Sequence, residues 1–298
     1  MMVASRIDET PPRQSSAPQR IAVVAGSGSL PIDVAAELVR TGRSPLLVLL
    51  EGEAEILAKF PPCEHFTMPL EHLGELVPRL KKQRVTHLVL AGGVERRPPL
   101  RKIRWSLDLF RLAPRLITAF ARGDDGLLRA LIDHIEANGI RVIGAHEIVP
   151  NLLAREGAMT ITRPLARDKA DIVAAMQAAR AIGELDIGQA AIAIGGRAVA
   201  LEGIEGTDGL LARMKPLRGN GRIAGKDRGV LAKCSKPGQE LRADLPAIGP
   251  QTIEAAHAAG LAGVAVETGR SFVLDYKHTI ERANDLGLFV IGVPRDKS

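Results

Sequence analysis

Short apolar runs and helical stretches alternate along the first half of the chain. The apolar runs have the length of strands, and glycines follow several of them. Because strands that alternate with helices build parallel sheets, residues 20–150 are predicted to form a Rossmann-like α/β domain with a mostly parallel sheet. The predicted strands are residues 21–25, 45–50, 86–91 and 141–144, and the predicted helices are residues 32–41 and 126–138.

The pattern changes after residue 150. Residues 151–167 show no sustained hydrophobic period and contain Gly157 and Pro164, so they are the predicted linker between two domains. A second α/β domain with a mixed sheet is predicted over residues 168–298, because a β-hairpin accompanies its alternating strands and helices. Its predicted elements are a helix at residues 168–182, the hairpin at 190–201, helices at 250–260 and 277–286, and strands at 262–267, 271–274 and 288–293.

The amino-terminal residues predict neither a signal peptide nor a membrane anchor. Residues 1–19 contain no continuous apolar segment, and we expect them to form a disordered tail. No later stretch offers the roughly 20 apolar residues that are needed to span a bilayer. Any contact with a membrane is therefore expected to be peripheral.

Composition and charge narrow the possible function classes. The 40 Lys and Arg residues exceed the 34 Asp and Glu residues, and the net charge of +6 favours an anionic partner. Nucleic acid is not the expected partner, because aromatic residues make up only 3% of the chain and single strands are bound by aromatic stacking. Cys63 and Cys234 are far apart and form neither a zinc pattern nor a disulfide framework. This usage fits the reducing cytoplasm, where any metal would be held by oxygen ligands.

A glycine-rich turn follows the first predicted strand. Gly26 and Gly28 are followed by Pro31, where a dinucleotide-binding fingerprint would have its third glycine. Backbone amides at such a turn bind phosphate, and Glu51 follows the second strand as a ribose-binding acid would. A plain tight turn is the simpler interpretation. The alternative function is a nucleotide- or NAD-binding Rossmann protein without hydrolase activity.

The carboxyl ends of parallel strands lie on one edge of a sheet, where ligands bind. We therefore expect Gly28, Gly93, His146 and Glu147 to share one rim of the first domain. His146 is a candidate ligand or base there, with a purely structural histidine as the alternative.

Residues 95–122 begin with basic residues and continue as an amphipathic helical pattern. This order is typical of a helix that lies on a membrane surface, and a helix packed in the core is the equal alternative. Asp124 and Asp125 begin the next predicted helix, where capping accounts for one carboxylate and leaves the other for a polar or metal-binding role. The basic residues are Arg96, Arg97, Arg101, Lys102 and Arg104.

Residues 201–252 combine acids, lysines, arginines, glycines and prolines, and we expect them to form loops that carry chemistry. Carboxylates bind divalent cations or activate water, and neighbouring cations neutralise phosphate oxygens. The composition favours phosphoryl chemistry, with a solvated surface rich in turns as the alternative. The helix predicted from Pro250 begins shortly after Asp244, and its free amides favour an anion.

Six motifs follow one another along the chain: GDDGLLR at residues 123–129, GAHE at 144–147, LDIGQ at 185–189, EGTD at 205–208, LAKCSKPGQELRADLPAIGP at 231–250 and GLAGVAVETGR at 260–270. Their combination resembles the LpxI-type UDP-2,3-diacylglucosamine pyrophosphatases and covers almost all of residues 21–293. The resemblance implies a cytoplasmic hydrolase, peripheral to the inner membrane, that splits UDP-2,3-diacylglucosamine into UMP and 2,3-diacylglucosamine 1-phosphate (lipid X) in lipid A biosynthesis. It also implies Mg²⁺, with Mn²⁺ as an alternative, a lipid held between two domains, and a homodimer.

The resemblance further implies which residues form the site. Asp244 is the expected central residue, as metal ligand or base, Asp208 is the second expected metal ligand, and both are expected to be catalytic together with Lys233. The lysine-rich run of the family appears here with Cys234 and Ser235 between its two lysines, which are retained. The expected substrate-binding residues are Gly28, Gly93, Asp124, Asp125, His146, Thr207, Lys236, Gln239 and Arg242.

Overall fold

A computed structural model describes residues 19–54, 57–94, 124–219, 223 and 228–295. The predicted amino-terminal tail, up to residue 18, and the basic amphipathic segment at residues 95–122 lie outside these described residues. Among the residues that the structure describes, no helix combines the length and the apolar character needed to cross a membrane.

The first sheet contains five described strands, all parallel, in the order β3-β2-β1-β4-β5. Its central strands are buried on both faces, as their continuous apolar sequences require. This confirms the predicted Rossmann-like sheet. The strands are β1 (Ile21–Ala25), β2 (Leu46–Leu50), β3 (His65–Met68), β4 (His87–Ala91) and β5 (Arg141–Val142).

Helices cover the faces of this sheet. The first helix begins just after the glycine-rich turn, with Pro31 in its first turn, where the missing N–H of proline costs no hydrogen bond. It ends before Gly42, whose φ of +76° suits the turn that follows. The α-helices in the described part of this domain are α1 (Leu30–Arg40), α2 (Leu76–Lys82), α3 (Asp124–Ala137) and α4 (Ala145–Ile148).

The second sheet is mixed, as predicted, and its six described strands follow the order β6-β13-β11-β9-β7-β8. The strands β13, β11 and β9 are parallel to one another, whereas β6 and β7 join them in antiparallel fashion and β8 closes the β7 hairpin. The strands are β6 (Gly157–Ala158), β7 (Ala190–Ala193), β8 (Ala198–Leu201), β9 (Val230–Lys233), β11 (Gly263–Glu267) and β13 (Phe289–Val293).

Helices again cover both faces of the second sheet. One face packs against the first helix of this domain through small side chains such as Ala175 and Ala179, and the other face packs against helices near the carboxyl end. The helices are α5 (Asp168–Glu184), α6 (Gly206–Ala212), α7 (Met214–Arg218), α8 (Pro250–Ala258) and α9 (Tyr276–Asp285).

The described residues of the stretch 201–252 contain more regular secondary structure than the expected loops. The strand β9 lies within this stretch and pairs with both β11 and β7, so it is an interior strand of the second sheet. The expectation that this whole stretch forms loops was therefore wrong. The strand Val230–Lys233 was not recognised because it has only four residues and is flanked in sequence by glycines and charged residues. The strands that bury it are distant in sequence.

Residues 151–167 are also built into the fold. The strand β6 in this segment pairs with β13, and the Oγ1 of Thr160 accepts a hydrogen bond of 2.9 Å from the N–H of Val290. Thr160 is buried. This segment therefore packs along the edge of the second sheet while it connects the two domains.

A two-stranded ribbon joins the domains. Its strands β10 (Ala247–Ile248) and β12 (Phe272–Val273) are parallel. Phe272 is 3% exposed and packs into the apolar cluster that contains Ile21 and Val23 of β1. The ribbon therefore places residues 241–247 of the second domain against the carboxyl edge of the first sheet.

Candidate functional site

The strands β1 and β4 end in a close crossing of two glycine-containing turns. The Ser27 N–H donates to the Gly93 carbonyl at 2.7 Å, and the Gly93 N–H donates back to the Ser27 carbonyl at 3.0 Å. A Cβ atom on Gly26 would lie 2.2 Å from the Gly93 oxygen, and Gly92 has a φ of +87°. Only glycine fits these two positions. Close packing of the two backbones therefore requires a glycine at position 26, whether or not the turn binds phosphate.

Gly28 lies beyond this crossing and is open. Its φ is +88°, and no atom would come within 4 Å of an added Cβ. Gly28 is exposed at the start of α1, as expected for a residue at the rim of the sheet.

A cavity of about 220 Å³ lies between the two domains at this edge. The first domain contributes the turns at Ser27 and Gly93, and the second contributes Arg242 and Asp244. The structure therefore brings Gly93, Arg242 and Asp244 together, as expected from the sequence. The remaining lining residues are Leu30, Leu90, Gly92, Ala145, Leu241, Ala243, Leu245, Ala247, Phe272 and Leu274.

Asp244 is the one carboxylate that lines this cavity among the described residues. Its Oδ2 accepts a hydrogen bond of 2.6 Å from the side-chain amide of Gln239. Its backbone N–H donates to the Glu240 carbonyl at 3.0 Å, which closes a tight turn before β10. Asp244 is thus partly buried and held by its own loop.

Lys233 ends the strand β9, and its Nζ donates to the Ala247 carbonyl at 2.9 Å. Burial lowers the pKa of the ammonium group, and the negative charges of Glu202, Asp208 and Asp244 oppose that decrease. Two of these acids, Asp208 and Asp244, are the expected metal ligands. The two expected metal ligands thus act electrostatically on the third residue expected to be catalytic, the partly buried Lys233.

Glu202 belongs to the same group of charges, although it could not be distinguished from the other acids of residues 201–252 by sequence alone. Its Oε1 accepts a hydrogen bond of 2.8 Å from the Thr207 hydroxyl, and its Oε2 accepts one of 2.7 Å from the Gln189 N–H. Glu202 is buried, whereas Asp208 is exposed in the first turn of α6. Thr207 therefore faces Glu202, beside the expected ligand Asp208.

Lys236 and Arg242, the expected phosphate contacts, both form ion pairs with carboxylates. The Nζ of Lys236 lies 2.7 Å from Asp186. The guanidinium of Arg242 lies 2.8 Å from Glu240 in its own loop and 2.8 Å from Glu136 in α3 of the first domain. The hydrogen bond from Arg242 lowers the pKa of Glu240. A phosphate bound by these two cations would therefore compete with carboxylates that already contact them.

The other expected substrate contacts lie around the first domain. His146 lies in α4 next to Ala145, which lines the cavity, and its ring packs against the backbone of Gly144. Its Nδ1 is buried and has no hydrogen-bond partner among the described residues. Asp124 and Asp125 begin α3, but their side chains lie outside the described part of the structure.

The loop between β9 and β10, residues 234–246, carries Gln239, Arg242 and Asp244 and is named the site loop. The sequence analysis missed a buried acid that contacts the beginning of this loop. Glu267 ends β11 with 0% exposure, and its Oε2 accepts hydrogen bonds from both the N–H and the hydroxyl of Ser235, at 3.2 and 2.5 Å. Arg180 and Arg295 lie 3.7 Å from its Oε1. A glutamate that ends an otherwise apolar strand is the signal that would have identified it.

Comparisons with known proteins agree over nearly the whole chain. The model described as LpxI N-terminal domain matches residues 20–152, and the model described as LpxI C-terminal domain matches residues 155–291. UDP-2,3-diacylglucosamine pyrophosphatase LpxI from Caulobacter vibrioides is 37% identical over 277 residues, which cover 92% of this chain and 98% of that protein.

Two solved structures are similar over much of their length at low identity. CobK precorrin-6A reductase has a TM-score of 0.35 at 15% identity, over 93% of this chain and 88% of that chain. UDP-N-acetylglucosamine 4-epimerase from Bacillus cereus has a TM-score of 0.30 at 13% identity, over 93% of this chain and 89% of that chain. Similarities this weak carry no argument about function, whereas the two family models and the Caulobacter relative do. The chain belongs to the LpxI family.

Proposed function

We propose that this protein hydrolyses UDP-2,3-diacylglucosamine to UMP and 2,3-diacylglucosamine 1-phosphate, a step of lipid A biosynthesis. The observation that carries this proposal is the alignment with a UDP-2,3-diacylglucosamine pyrophosphatase over 98% of that relative's length. The interdomain cavity supports it, because Asp244 and Arg242 line that cavity opposite the glycine-containing turns of the first domain.

Hydrolysis of a diphosphate requires a group that binds or deprotonates water and cations that offset the charge on the phosphate oxygens. Asp244 lines the cavity, and Gln239 occupies its Oδ2, so we assign its Oδ1 to the reaction, as base or as metal ligand. Lys233 supplies a positive charge that Asp244 and two further acids favour against the effect of burial. Arg242 lies at the cavity wall and would contact phosphate after releasing Glu136.

The donor set of the site suits Mg²⁺ or Mn²⁺. Mg²⁺ is usually held by one or two carboxylates together with water and substrate phosphates, rather than by a cage of protein ligands. Asp244 and Asp208 offer two such carboxylates near one cation, and no group of three or more acids, histidines and cysteines suited to a metal occurs among the described residues. When bound there, the ion would neutralise charge that develops on the diphosphate.

The apolar part of the substrate would lie between the domains. Leucines and Phe272 form much of the cavity wall, to which Asp244 and Arg242 also contribute. The cavity of about 220 Å³ is smaller than the roughly 300–1,000 Å³ typical of small-molecule sites. Binding of the whole lipid nucleotide would therefore require the two domains to separate, which breaks the Arg242–Glu136 pair that connects them.

The lipid substrate also suggests where the protein works. We infer that it acts as a homodimer at the cytoplasmic face of the inner membrane, to which it binds peripherally. The net charge of +6 favours an anionic lipid surface, and no nucleic-acid partner is proposed.

The direct test incubates the protein with UDP-2,3-diacylglucosamine in the presence of Mg²⁺ or of EDTA and measures UMP release. We expect release with Mg²⁺ and its loss with EDTA, restored by added Mg²⁺ or Mn²⁺. No UMP in the presence of either metal would refute the proposed reaction. UMP release that EDTA leaves unchanged would refute the metal requirement alone.

The rival function, a nucleotide- or NAD-binding Rossmann protein without hydrolase activity, makes the opposite prediction. It requires a change in NADH fluorescence when the protein is titrated in, whereas the hydrolase proposal predicts none. Glu51 is exposed just after β2, but Pro31 replaces the third glycine and packs tightly against Gly92.

A further inference from the structure

Gln239 connects two parts of the site loop through its side-chain amide. Its Oε1 accepts a hydrogen bond of 2.8 Å from the Lys236 N–H, and its Nε2 donates to the Oδ2 of Asp244 at 2.6 Å. Because a backbone N–H can only donate, the Lys236 contact fixes which end of the amide is the oxygen. The amide nitrogen must then point at the Asp244 carboxylate.

Burial separates Gln239 from the space where a ligand would lie. Gln239 is 6% exposed, and it is absent from the cavity wall to which Asp244 contributes. Gln239 therefore contacts the Asp244 carboxylate from the protein interior and not from the cavity. It differs from the substrate contact that the sequence led us to expect.

The loop that carries Gln239 is anchored to the second sheet. Ser235 at its beginning donates twice to Glu267, which is fully buried at the end of β11. Asp244 at its other end donates its N–H to the Glu240 carbonyl and leads directly into the interdomain ribbon. Gln239 therefore links Asp244 to a part of the loop that is fixed by a core strand.

We propose that Gln239 is a positioning residue for Asp244. It holds Oδ2 by a charge-assisted hydrogen bond, so that Oδ1 is presented to the cavity, and it does not contact the substrate. This inference rests on the proposed function, in which Asp244 is the reacting carboxylate. Misplacing a catalytic group by about 1 Å costs on the order of 100-fold in rate, so loss of this hydrogen bond should lower kcat by about 10- to 100-fold.

Gln239→Glu keeps an acceptor for the Lys236 N–H, replaces the donor to Asp244 by a carboxylate and so also adds a negative charge beside Asp244. We expect kcat for UMP release to fall by about 10- to 100-fold, with KM within about threefold of wild type. Gln239→Ala, which removes both contacts, should show the same split. Thermal unfolding of both variants gives the fraction of molecules that is folded at the assay temperature, and kcat is then calculated per folded molecule.

Three results would overturn the inference. The first is a rise in KM at unchanged kcat, as expected for a substrate contact. The second is an unchanged kcat per folded molecule in Gln239→Ala, which has no donor left for Asp244. The third concerns the double variant. When Gln239→Ala is added to Asp244→Asn, we expect the affinity for UDP-2,3-diacylglucosamine to stay within about twofold, because a residue that acts through Asp244 has no further effect once Asp244 is replaced. A tenfold loss of affinity in that background would show direct contact with the substrate.

A crystal structure of Gln239→Ala tests the positioning role of Gln239 without relying on the proposed reaction, because it shows the orientation of the Asp244 carboxylate directly. A rotated Asp244 carboxylate supports the inference even if the wild-type protein releases no UMP, and an unmoved carboxylate overturns it. Absence of UMP release by the wild type, or a wild-type rate in Asp244→Asn, would instead refute the proposed reaction or its assignment to Asp244.

Discussion

Substitution of Gly26 by alanine is expected to distort the wall of the interdomain cavity. A Cβ atom at this position would lie 2.2 Å from the Gly93 oxygen, and real Cβ atoms essentially never approach closer than 3.0 Å. The difference of the two values requires a shift of at least 0.8 Å in the Gly93 backbone. That backbone accepts the 2.7 Å hydrogen bond from Ser27, and both residues line the cavity.

The expected cost follows from these contacts. Overpacking of a rigid site costs about 1–3 kcal/mol, and loss of one or two backbone hydrogen bonds adds about 1 kcal/mol each. We therefore expect the free energy of unfolding, measured with urea, to fall by about 2–5 kcal/mol in Gly26→Ala, with a lower kcat/KM for UMP release. The matched control is Gly28→Ala, which has open space around the new Cβ and loses only about 1–2 kcal/mol through its positive φ. Equal stability of Gly26→Ala and wild type would refute this account of the crossing.

Three further substitutions or reactions test other parts of the site. Lys233→Met removes the positive charge beside the acids, and we expect UMP release to fall by at least about 100-fold, as when an electrostatic contact to a transition state is lost. Rates within twofold of wild type would contradict this role of Lys233. Glu136→Gln frees Arg242 from its partner in the first domain, and since exposed pairs contribute about 0.2–1 kcal/mol, we expect substrate affinity to rise by at most about fivefold; weaker binding would contradict an exchange of partners. Burial raises the pKa of Cys234 to about 12, so in the folded protein at pH 8 this thiol should resist a thiol reagent that labels it after unfolding in urea, whereas fast labelling of Cys234 in the native state would contradict its packing.

Much of the fold followed from apolar periodicity. The runs that form β1, β2 and β4 are continuous and long enough to be recognised, and the hairpin of β7 and β8 was visible from its two glycines. The strand β3 was not predicted, because its residues alternate between exposed and partly buried at the sheet edge and include polar side chains. Edge strands carry a weaker apolar signal than central ones.

The site was predictable only in part, because its geometry depends on contacts between distant residues. The family resemblance implied that Asp244, Asp208 and Lys233 belong to one site, and in the structure the charges of the two acids act on the Lys233 ammonium group. It did not indicate that Arg242 pairs with Glu136, which lies 106 residues earlier in the chain. Spacing along the chain contains no information about such partners.

The central claim is that Asp244 carries out the reaction at the interdomain cavity. Its most direct test is UMP release from UDP-2,3-diacylglucosamine by Asp244→Asn, which keeps the size of the side chain and removes its charge. We expect a loss of at least about 1,000-fold in kcat, in line with the loss of a catalytic acid or base, while the substrate still binds within a few-fold of wild-type affinity. Turnover at the wild-type rate in this variant would contradict it.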